Sequence, residues 1–375
     1  MSLRSTCLSV SALLLAGSLA LTSCRHQDDP KEDPVPNPTA YTLAVPRGFP
    51  APIIPADNQL TKEGVELGRM LFYEKMLSNK NTMACASCHQ QSKAFTDGRA
   101  LAVGEDGVAN PRGTMSLANV AWSTQLTWDG EFTDLENQAL KPLENPVEMH
   151  QSLVTGVAKL QASSLYPAKF RAAFGTSTIT PALVQKALAQ FERTLVSSNS
   201  RFDKYSVTPV GFSPDERAGL ALYNTHAVPS FVAGAECRHC HTLPFMSSNY
   251  EGLFFNNGLD MTFADAGRMR VTKKAGDEGK FIAPTLRNIA LTAPYMHDGR
   301  FKTLQEVLDH YSDHVQMNSP GLDPNLNVPA GVGGTNVNGS SQLSLSATQK
   351  RQLLAFLNTL TDSTFVNDKR FSSPF

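Results

Sequence analysis

The sequence predicts a mainly α-helical protein built from two related halves. The pattern Cys-x-x-Cys-His occurs twice, at residues 85–89 and 237–241, and an amphipathic segment with a capping hydroxyl residue begins 24 residues before each copy. No segment shows a convincing alternation of apolar and polar residues, the pattern typical of a half-buried strand. The 375 residues are also more than one compact core usually contains. We therefore expect two helical domains related by an internal repeat.

The N-terminal residues are predicted to lie outside the fold. Residues 1–23 contain Arg4 and then the apolar run LSVSALLLAGSLAL, which is too short for a membrane span and is typical of a signal peptide. The run ends in LTSC, residues 21–24, which resembles a bacterial lipoprotein processing box, and an ordinary signal-peptide cleavage site is the alternative. The resemblance implies cleavage before Cys24 and a lipid on its thiol.

Residues 24–45 are predicted to form a flexible tether. They include RHQDDPKEDPVPNPTA, which is rich in proline and charge and has almost no aliphatic residues with which to build a core. We expect an exported protein on the periplasmic face of a membrane, held there only by the lipid at Cys24. The net charge of -1 provides no basic surface, so nucleic acid is not expected as a partner.

The distribution of the cysteines limits which chemistry the two motifs can have. Cys7 lies in the signal peptide and Cys24 at the lipid site, so every other cysteine belongs to a motif. Disulfides are one option in an oxidising compartment, and a redox dithiol is another. A four-cysteine zinc site would leave the motif histidines without a role and would need halves 152 residues apart to converge.

Covalent haem gives a role to all six motif residues. Each thiol adds to a haem vinyl group, and the adjacent histidine binds the iron. The duplicated motif therefore predicts two covalently bound c-type haems. The expected fold is two cytochrome c-like helical haem domains, at residues 46–205 and 206–375. The predicted haem-binding residues are Cys85, Cys88, His89, Cys237, Cys240 and His241.

Helix-start signals support this organisation. Thr61 and Ser213 each precede acidic residues and then apolar residues at helical spacing, as expected for capped amphipathic helices. Residues 181–196 and 346–361 have the same periodicity. Residues 321–342 are rich in Gly, Asn and Pro and are predicted to form an exposed loop.

Several longer segments carry a resemblance to a known family. The segments LGRMLFYEKMLS, CASCHQQSKAFTDG, WDGEFTDLENQALKPLENPVEM, FERTLVSSNSRFDKY, CRHCH and APTLRNIALTAPYMHDGRFKTLQEVLDHY resemble the bacterial di-haem cytochrome c peroxidases over roughly residues 45–365. The wider family includes a di-haem enzyme that matures a tryptophan-derived quinone cofactor. The resemblance implies a peroxidatic haem in the N-terminal domain and an electron-transfer haem in the C-terminal domain.

The resemblance also implies roles for three residues near the peroxidatic haem. Glu148, in the segment NPVEM, corresponds to a glutamate that moves a proton between the two peroxide oxygens, and Gln138 precedes it by ten residues. Trp128 corresponds to a tryptophan that relays electrons between the haems, although a packing role is the alternative. Several relatives block the peroxidatic iron with a histidine at the position of Glu105, so we expect that iron to be open here.

The ligands of the second iron and of calcium are also inferred from the resemblance. Peroxidases place a distal methionine at the position of Tyr311, and the quinone-maturing branch places a tyrosine ligand there. Met296 and His314 are alternative ligands. The family holds calcium partly through backbone oxygens at Thr292 and Pro294, but Gly113 replaces a usual asparagine.

His297 has two open roles. It is either a hydrogen-bond partner of a haem propionate or a packed polar residue.

The expected activity is reduction of hydrogen peroxide to water with electrons from a donor protein such as a small cytochrome. A quinone-maturing-type oxidase acting on a protein or organic substrate is the alternative enzyme, and a non-catalytic di-haem electron carrier is the alternative outside enzymology. The sequence does not determine the oligomeric state, and a homodimer is one option.

Overall fold

The computed structural model describes residues 37–226, 234–326 and 343–375. The predicted signal peptide, Cys24 and most of the tether lie outside these residues, as does most of the predicted loop at 321–342. Within the described ranges, no helix combines the length and the apolar character needed to cross a bilayer.

Helices supply nearly all of the regular structure. In the first half they are α1 (Lys62–Tyr73), α2 (Cys85–Cys88), α3 (Leu135–Glu144), α4 (Leu153–Ala162), α5 (Tyr166–Phe174), α6 (Pro181–Glu192) and α7 (Arg201–Val207). In the second half they are α8 (Pro214–Asn224), α9 (Cys237–Cys240), α10 (Met269–Thr272), α11 (Leu304–Asp309) and α12 (Ala347–Asn358). A π-helical turn, His310–His314, continues α11. The prediction of a mainly helical fold is confirmed.

A small sheet was not predicted. Its strands are β1 (Phe254–Phe255) and β2 (Phe281–Ile282), which pair antiparallel with Phe254 opposite Ile282. Strands of two residues are too short to produce a readable alternation of apolar and polar side chains, so the sequence pattern could not reveal them.

The predicted starts of α1 and α8 are confirmed. The Thr61 hydroxyl accepts a hydrogen bond of 3.0 Å from the Gly64 amide. Ser213 and Glu216 cap α8 reciprocally: the Ser213 hydroxyl accepts from the Glu216 amide, and the Glu216 carboxylate accepts from the Ser213 amide. These bonds satisfy amide groups that have no partner inside the helix.

The same helix crossing occurs in both halves. A Cβ atom on Gly68 of α1 would lie 1.9 Å from the carbonyl oxygen of Ala187 in α6. A Cβ atom on Gly219 of α8 would lie 2.0 Å from the carbonyl oxygen of Gln352 in α12. Glycine is therefore required for the close approach of each helix pair, and α1 and α8 are the helices that lead to the two motifs.

Two apolar cores accompany these helix pairs. The first contains Leu67, Leu71, Phe72 and Phe191, and the second contains Tyr223, Leu353 and Phe356. Burying one such side chain contributes about 1.5–3 kcal/mol, so these cores supply much of the stability.

The C-terminal segment joins the first core rather than the second. Phe365 and Phe371 are 2% and 4% exposed within it. The Gln91 side-chain amide donates hydrogen bonds to the carbonyl oxygens of Phe365 and Asp368. The domain boundary at residue 205 remains a prediction, and residues after Asp362 pack on the first half.

Candidate haem sites

The two Cys-x-x-Cys-His motifs have the same local conformation. Each pair of cysteines bounds one helical turn, α2 or α9, and the amide of the following histidine donates a 2.9 Å hydrogen bond to the carbonyl of the first cysteine. The backbone angles φ and ψ are -105° and 74° at His89 and -110° and 70° at His241. The conformation thus ends the helical turn at the histidine in both motifs.

The thiols do not fit the alternatives to haem. The four cysteines of the described residues are free and half-buried. Burial raises the pKa of Cys88 to about 11 and that of Cys237 to about 12, whereas a redox-active dithiol has a lowered pKa. Within the described ranges, the one group of residues spaced to hold a metal is His239, Cys240 and Asp323, so the motifs do not converge on a zinc site.

Both motif histidines present Nε2 for metal binding. His89 Nδ1 lies 2.9 Å from the Phe95 carbonyl oxygen, and His241 Nδ1 lies 3.0 Å from that of Pro284. A carbonyl can only accept, so Nδ1 carries the proton and Nε2 keeps its lone pair. Burial lowers the pKa of His89, and it lowers that of His241 to about 4, which keeps both rings in the neutral form that binds iron.

A large cavity adjoins the second motif. It encloses about 1580 Å³ of space, part of it open to solvent, and is lined by Cys237, Cys240 and His241. Its walls also include Trp128 and Asp97, and Asp97 is close enough to His89 to affect its pKa after burial and hydrogen bonding. The cavity therefore extends from the second motif toward the residues that follow the first.

Tyr311 lines this cavity, as expected for a ligand of the second iron. Its hydroxyl accepts a 3.2 Å hydrogen bond from the Asn257 side-chain amide, which also lies 3.5 Å from the sulfur of Met296. Burial raises the pKa of Tyr311, so a cation is needed to stabilise its phenolate. Met296 lines the cavity too. His314 is exposed, with Nδ1 2.9 Å from the Asp309 carbonyl, and does not line the cavity.

A π-helical turn positions Tyr311. The cavity is lined by four residues that recur at helical spacing, Leu304, Val307, Leu308 and Tyr311. However, α11 ends at Asp309, and the wider π turn that follows buries His310 and leaves Tyr311 half-buried at the cavity wall. His310 is 4% exposed, and its Nε2 lies 3.0 Å from the Asn257 carbonyl. Such turns are rare and frequently mark functional sites.

The structure places Glu148 near the first motif. Its carboxylate accepts hydrogen bonds of 2.7 Å from the Asn110 side chain and 3.0 Å from that of Asn145. Burial raises the pKa of Glu148 despite these bonds. Burial and then nearby charges, including Glu148, raise the pKa of Cys85 and Cys88. A half-buried carboxyl group therefore lies close enough to both thiols to affect their pKa.

Gln138 is not joined to Glu148. Gln138 lies half-buried on α3, and in the described part of the chain no hydrogen bond links its side chain to that of Glu148. The helix ends at Glu144 and the chain turns at Asn145, so the ten-residue spacing does not correspond to a direct contact.

Trp128 lies at the wall of the cavity that adjoins the second motif. Its indole N–H donates a 2.8 Å hydrogen bond to the Gly113 carbonyl. Its ring stands edge-to-face with that of His297, with centroids 6.5 Å apart. The tryptophan therefore both packs against His297 and lines the cavity that adjoins the second motif.

Glu105 is fixed by hydrogen bonds from the segment before the first motif. Its carboxylate accepts from the hydroxyls of Ser78 and Thr82 and from the amides of Lys80 and Thr82. Although burial opposes it, these bonds lower the pKa of Glu105 to about 2. The residue at the position of the blocking histidine is thus a carboxylate that is ionised at neutral pH and held by four hydrogen bonds.

The predicted calcium ligands do not form a complete site. Thr292 and Pro294 line the cavity that adjoins the second motif, but the Thr292 hydroxyl donates to the Ile289 carbonyl. Gly113 has no side-chain oxygen, and its carbonyl already accepts from Trp128. Calcium takes six to eight oxygen ligands, usually including carboxylates. These residues by themselves do not complete a calcium site, and calcium stays a prediction.

Sequence reasoning missed Asn257, Asn110 and Glu192. Asn257 contacts both Tyr311 and Met296, and Glu192 is a buried acid that acts on Cys85 electrostatically. Two asparagines directly after two phenylalanines, as in FFNNG, were the available signal for Asn257.

Comparisons with known proteins agree with this geometry. Residues 62–208 match the family described as di-haem cytochrome c peroxidase. The methylamine utilization protein MauG of Methylorubrum extorquens is 32% identical over 93% of this chain and 92% of its own length. Cytochrome c551 peroxidase of Nitrosomonas europaea is 32% identical over 68% of this chain and 73% of its own length.

A solved structure is also similar. The crystal structure of a MauG-like protein associated with microbial copper homeostasis is 36% identical, with a TM-score of 0.76 over 89% of this chain and 99% of its own. Paired motifs, oriented histidines and these relatives lead to one conclusion: the chain belongs to the di-haem cytochrome c peroxidase family.

Proposed function

We propose that this protein is a di-haem peroxidase that reduces hydrogen peroxide to water with electrons from a small redox donor such as a cytochrome. The observation that supports it most is the half-buried, hydrogen-bonded carboxyl group of Glu148 close to the first motif. A protein that only carries electrons has no use for a proton-transfer group there. The named peroxidase of Nitrosomonas europaea supports the same assignment.

Two covalent c-type haems are part of this proposal. Cys85 and Cys88 would hold one haem and Cys237 and Cys240 the other, and the motif histidines would bind the irons through Nε2. The matching glycine contacts at Gly68 and Gly219 support a repeat of one helical haem domain. When bound, haem supplies the redox-active iron at which peroxide is cleaved.

The chain's own residues would manage protons and position. Glu148 would take a proton from one peroxide oxygen and return it to the other, so that the second oxygen leaves as water. Gln138 would orient the peroxide or a water molecule. Trp128 would relay electrons across the cavity wall. Glu105 is hydrogen-bonded in place, which supports an N-terminal iron that is open without prior reduction.

Replacing Glu148 by Gln tests the peroxidase proposal. The amide keeps the size of the side chain but cannot take up a proton. We expect both haem spectra to be retained and the reaction with peroxide, followed by stopped-flow absorbance, to slow by about 10²–10⁴-fold. Glu144→Gln, an exposed acid at the end of α3, is the matched control. An unchanged single-turnover rate in Glu148→Gln contradicts the proposal.

A second candidate is a quinone-maturing-type di-haem oxidase acting on a protein or organic substrate. Tyr311 supports it, because a phenolate ligand favours ferric iron and makes higher oxidation states easier to reach. Tyr311→Phe should alter the low-spin haem spectrum, whereas Tyr295→Phe, a tyrosine of the same cavity, should not. Peroxide turnover with reduced cytochromes as donors would support the peroxidase over the quinone-maturing oxidase. Two low-spin haems that do not react with peroxide would indicate an electron carrier.

Location and assembly complete the proposal. We infer export, cleavage before Cys24 and a lipid anchor on the periplasmic face of a membrane. Incorporation of labelled palmitate into the wild type, and its loss in Cys24→Ser, tests the anchor. Size-exclusion chromatography with light scattering tests whether the protein is a homodimer.

A further inference from the structure

His297 is a buried imidazole without a hydrogen-bond partner in the described ranges. The residue is 8% exposed. Its ring stacks on that of Phe281, with centroids 4.0 Å apart and an angle of 14° between the planes. Stacking occupies a face of the ring, so hydrogen bonds can form only at the ring edge that carries the nitrogens. His297 lines the cavity beside the second motif.

The cavity must supply the missing partner. An occupant that fills the cavity excludes water from the ring edge of His297, and a buried polar group without a hydrogen bond costs about 1–3 kcal/mol, so the occupant is expected to accept from this N–H. Burial lowers the pKa of His297, which leaves a neutral ring with one N–H donor. The occupant therefore needs an acceptor at this position, and a carboxylate is the strongest acceptor that a haem offers.

His297 and the two thiols have different surroundings. The charged groups that act most on Cys237 and Cys240 are Glu236 and Asp323. Those that act most on His297 are Asp298, Asp265, Arg300 and Arg112. A haem joined at its vinyl groups directs its propionates away from the thioether bonds. The propionates of the second haem should therefore point to the part of the cavity that His297 lines.

We propose that His297 donates an N–H hydrogen bond to a propionate of the haem attached at Cys237 and Cys240. The assignment rests on the proposed attachment of that haem. Arg99 lines the same cavity, and its guanidinium makes no ion pair with any residue that the structure describes, so it can add positive charge near the propionates. His297 is a positioning residue, because it acts on the iron through the haem periphery.

The same residue connects the propionate to Trp128. The His297 carbonyl accepts a 2.8 Å hydrogen bond from the Gly113 amide, and the Gly113 carbonyl accepts from the Trp128 indole. The His297 and Trp128 rings are also in edge-to-face contact. Ring and backbone contacts therefore fix the haem periphery and the proposed electron relay in one unit.

The midpoint potential of the second haem tests this inference. An ionised propionate stabilises ferric iron, and a hydrogen-bond donor offsets part of its charge. In the holoprotein at pH 8, we expect a lower potential for this haem in His297→Leu and partial recovery in His297→Gln, which restores an N–H donor. Spectroelectrochemistry gives the potentials, and the propionate bending bands in resonance Raman spectra should shift in His297→Leu alone.

A packing control and a haem count separate the outcomes. Phe281→Leu removes the stacked ring and keeps the donor, so its potential should stay near that of the wild type. Unchanged potentials and Raman bands in His297→Leu overturn the inference, and so does an equal shift in Phe281→Leu. A pyridine haemochrome assay counts the haems: fewer than two in the wild type defeats the proposed function, whereas two with no effect of His297→Leu defeats this inference alone.

Discussion

The Trp128 indole and the Gly113 carbonyl are joined by a 2.8 Å hydrogen bond. Their neighbours along the chain form an ion pair: Arg112, which precedes Gly113, binds the carboxylate of Asp129, which follows Trp128, at 2.7 Å. Each segment is thus attached to the other twice, once through the backbone carbonyl and once through charge. The position at which relatives carry a calcium-binding asparagine is used here to hold a tryptophan.

Adding a methyl group at Gly113 should disturb this contact. A Cβ atom there would lie 2.9 Å from the Ala100 carbonyl oxygen, which requires the backbone to shift. We expect Gly113→Ala to lower the free energy of unfolding by about 1–3 kcal/mol, as measured by denaturant titration. Gly276→Ala is the control, since a Cβ at Gly276 meets nothing within 4 Å. Equal stability of the two variants would show that the contact tolerates the methyl group.

Calcium should have little effect on this protein. Gly113 has no side-chain ligand, and no carboxylate accompanies Thr292 and Pro294 in the proposed set. We expect the melting temperature and the haem spectra of the holoprotein to be the same in excess EDTA and in millimolar calcium. A rise in melting temperature that saturates with calcium would contradict this prediction and reveal ligands outside that set.

Glu105 should stabilise the fold above its pKa. Its pKa in the folded protein is about 2, below the ordinary value of 4.5, so the unfolded chain binds more protons between these values. The stabilisation is complete above pH 4.5 and is lost as the pH falls toward 2. Glu105→Gln should cost about 1–2 kcal/mol at pH 7.

The Glu105 prediction is checked by denaturant titration across pH 3–7. The cost of Glu105→Gln should shrink toward the acidic end of this range. Glu251→Gln, an exposed acid, should cost nothing at any pH. A cost for Glu105→Gln that does not change with pH would mean that the charge of the carboxylate is unimportant.

Glu192 should give the opposite pH dependence. It is 6% exposed, one carboxyl oxygen has no hydrogen-bond partner, and burial raises its pKa to about 8. The folded protein therefore keeps a proton that the unfolded chain releases above about pH 4.5. Stability should fall as the pH rises from 4.5 to 8, by at most about 1.4 kcal/mol per pH unit.

Glu192→Gln should remove this slope, because the amide stays neutral in both states. Thermal or denaturant unfolding at several pH values between 5 and 8 measures the difference between the two proteins. If the free energy of unfolding changed equally with pH in the wild type and the variant, the Glu192 carboxyl group would be ionised in the folded protein, and its pKa would not be raised.

Helix starts and haem motifs could be predicted because they depend on neighbouring residues. The Thr61 and Ser213 caps use amides three residues away, and each motif is complete within five residues. The sheet pairs residues 254–255 with residues 281–282, so local periodicity could not reveal it. The π turn after Asp309 was missed for a related reason, because helical spacing assumes 3.6 residues per turn.

Side chains that meet through the tertiary fold were only partly predictable. The family resemblance led to Glu148, Trp128 and Tyr311, and the structure places these three beside the motifs or the cavity. The resemblance did not identify their hydrogen-bond partners, such as Asn110 and Asn257, because these residues come from distant segments of the chain. The His314 alternative was disfavoured by the π turn, which left that ring exposed.

The return of Phe365 and Phe371 to the first core has a consequence for synthesis. The first motif emerges from the ribosome long before these two rings, and so does Phe95, which contacts Phe365 with ring centroids 5.3 Å apart. The half of the protein that is made first is therefore the half that is finished last.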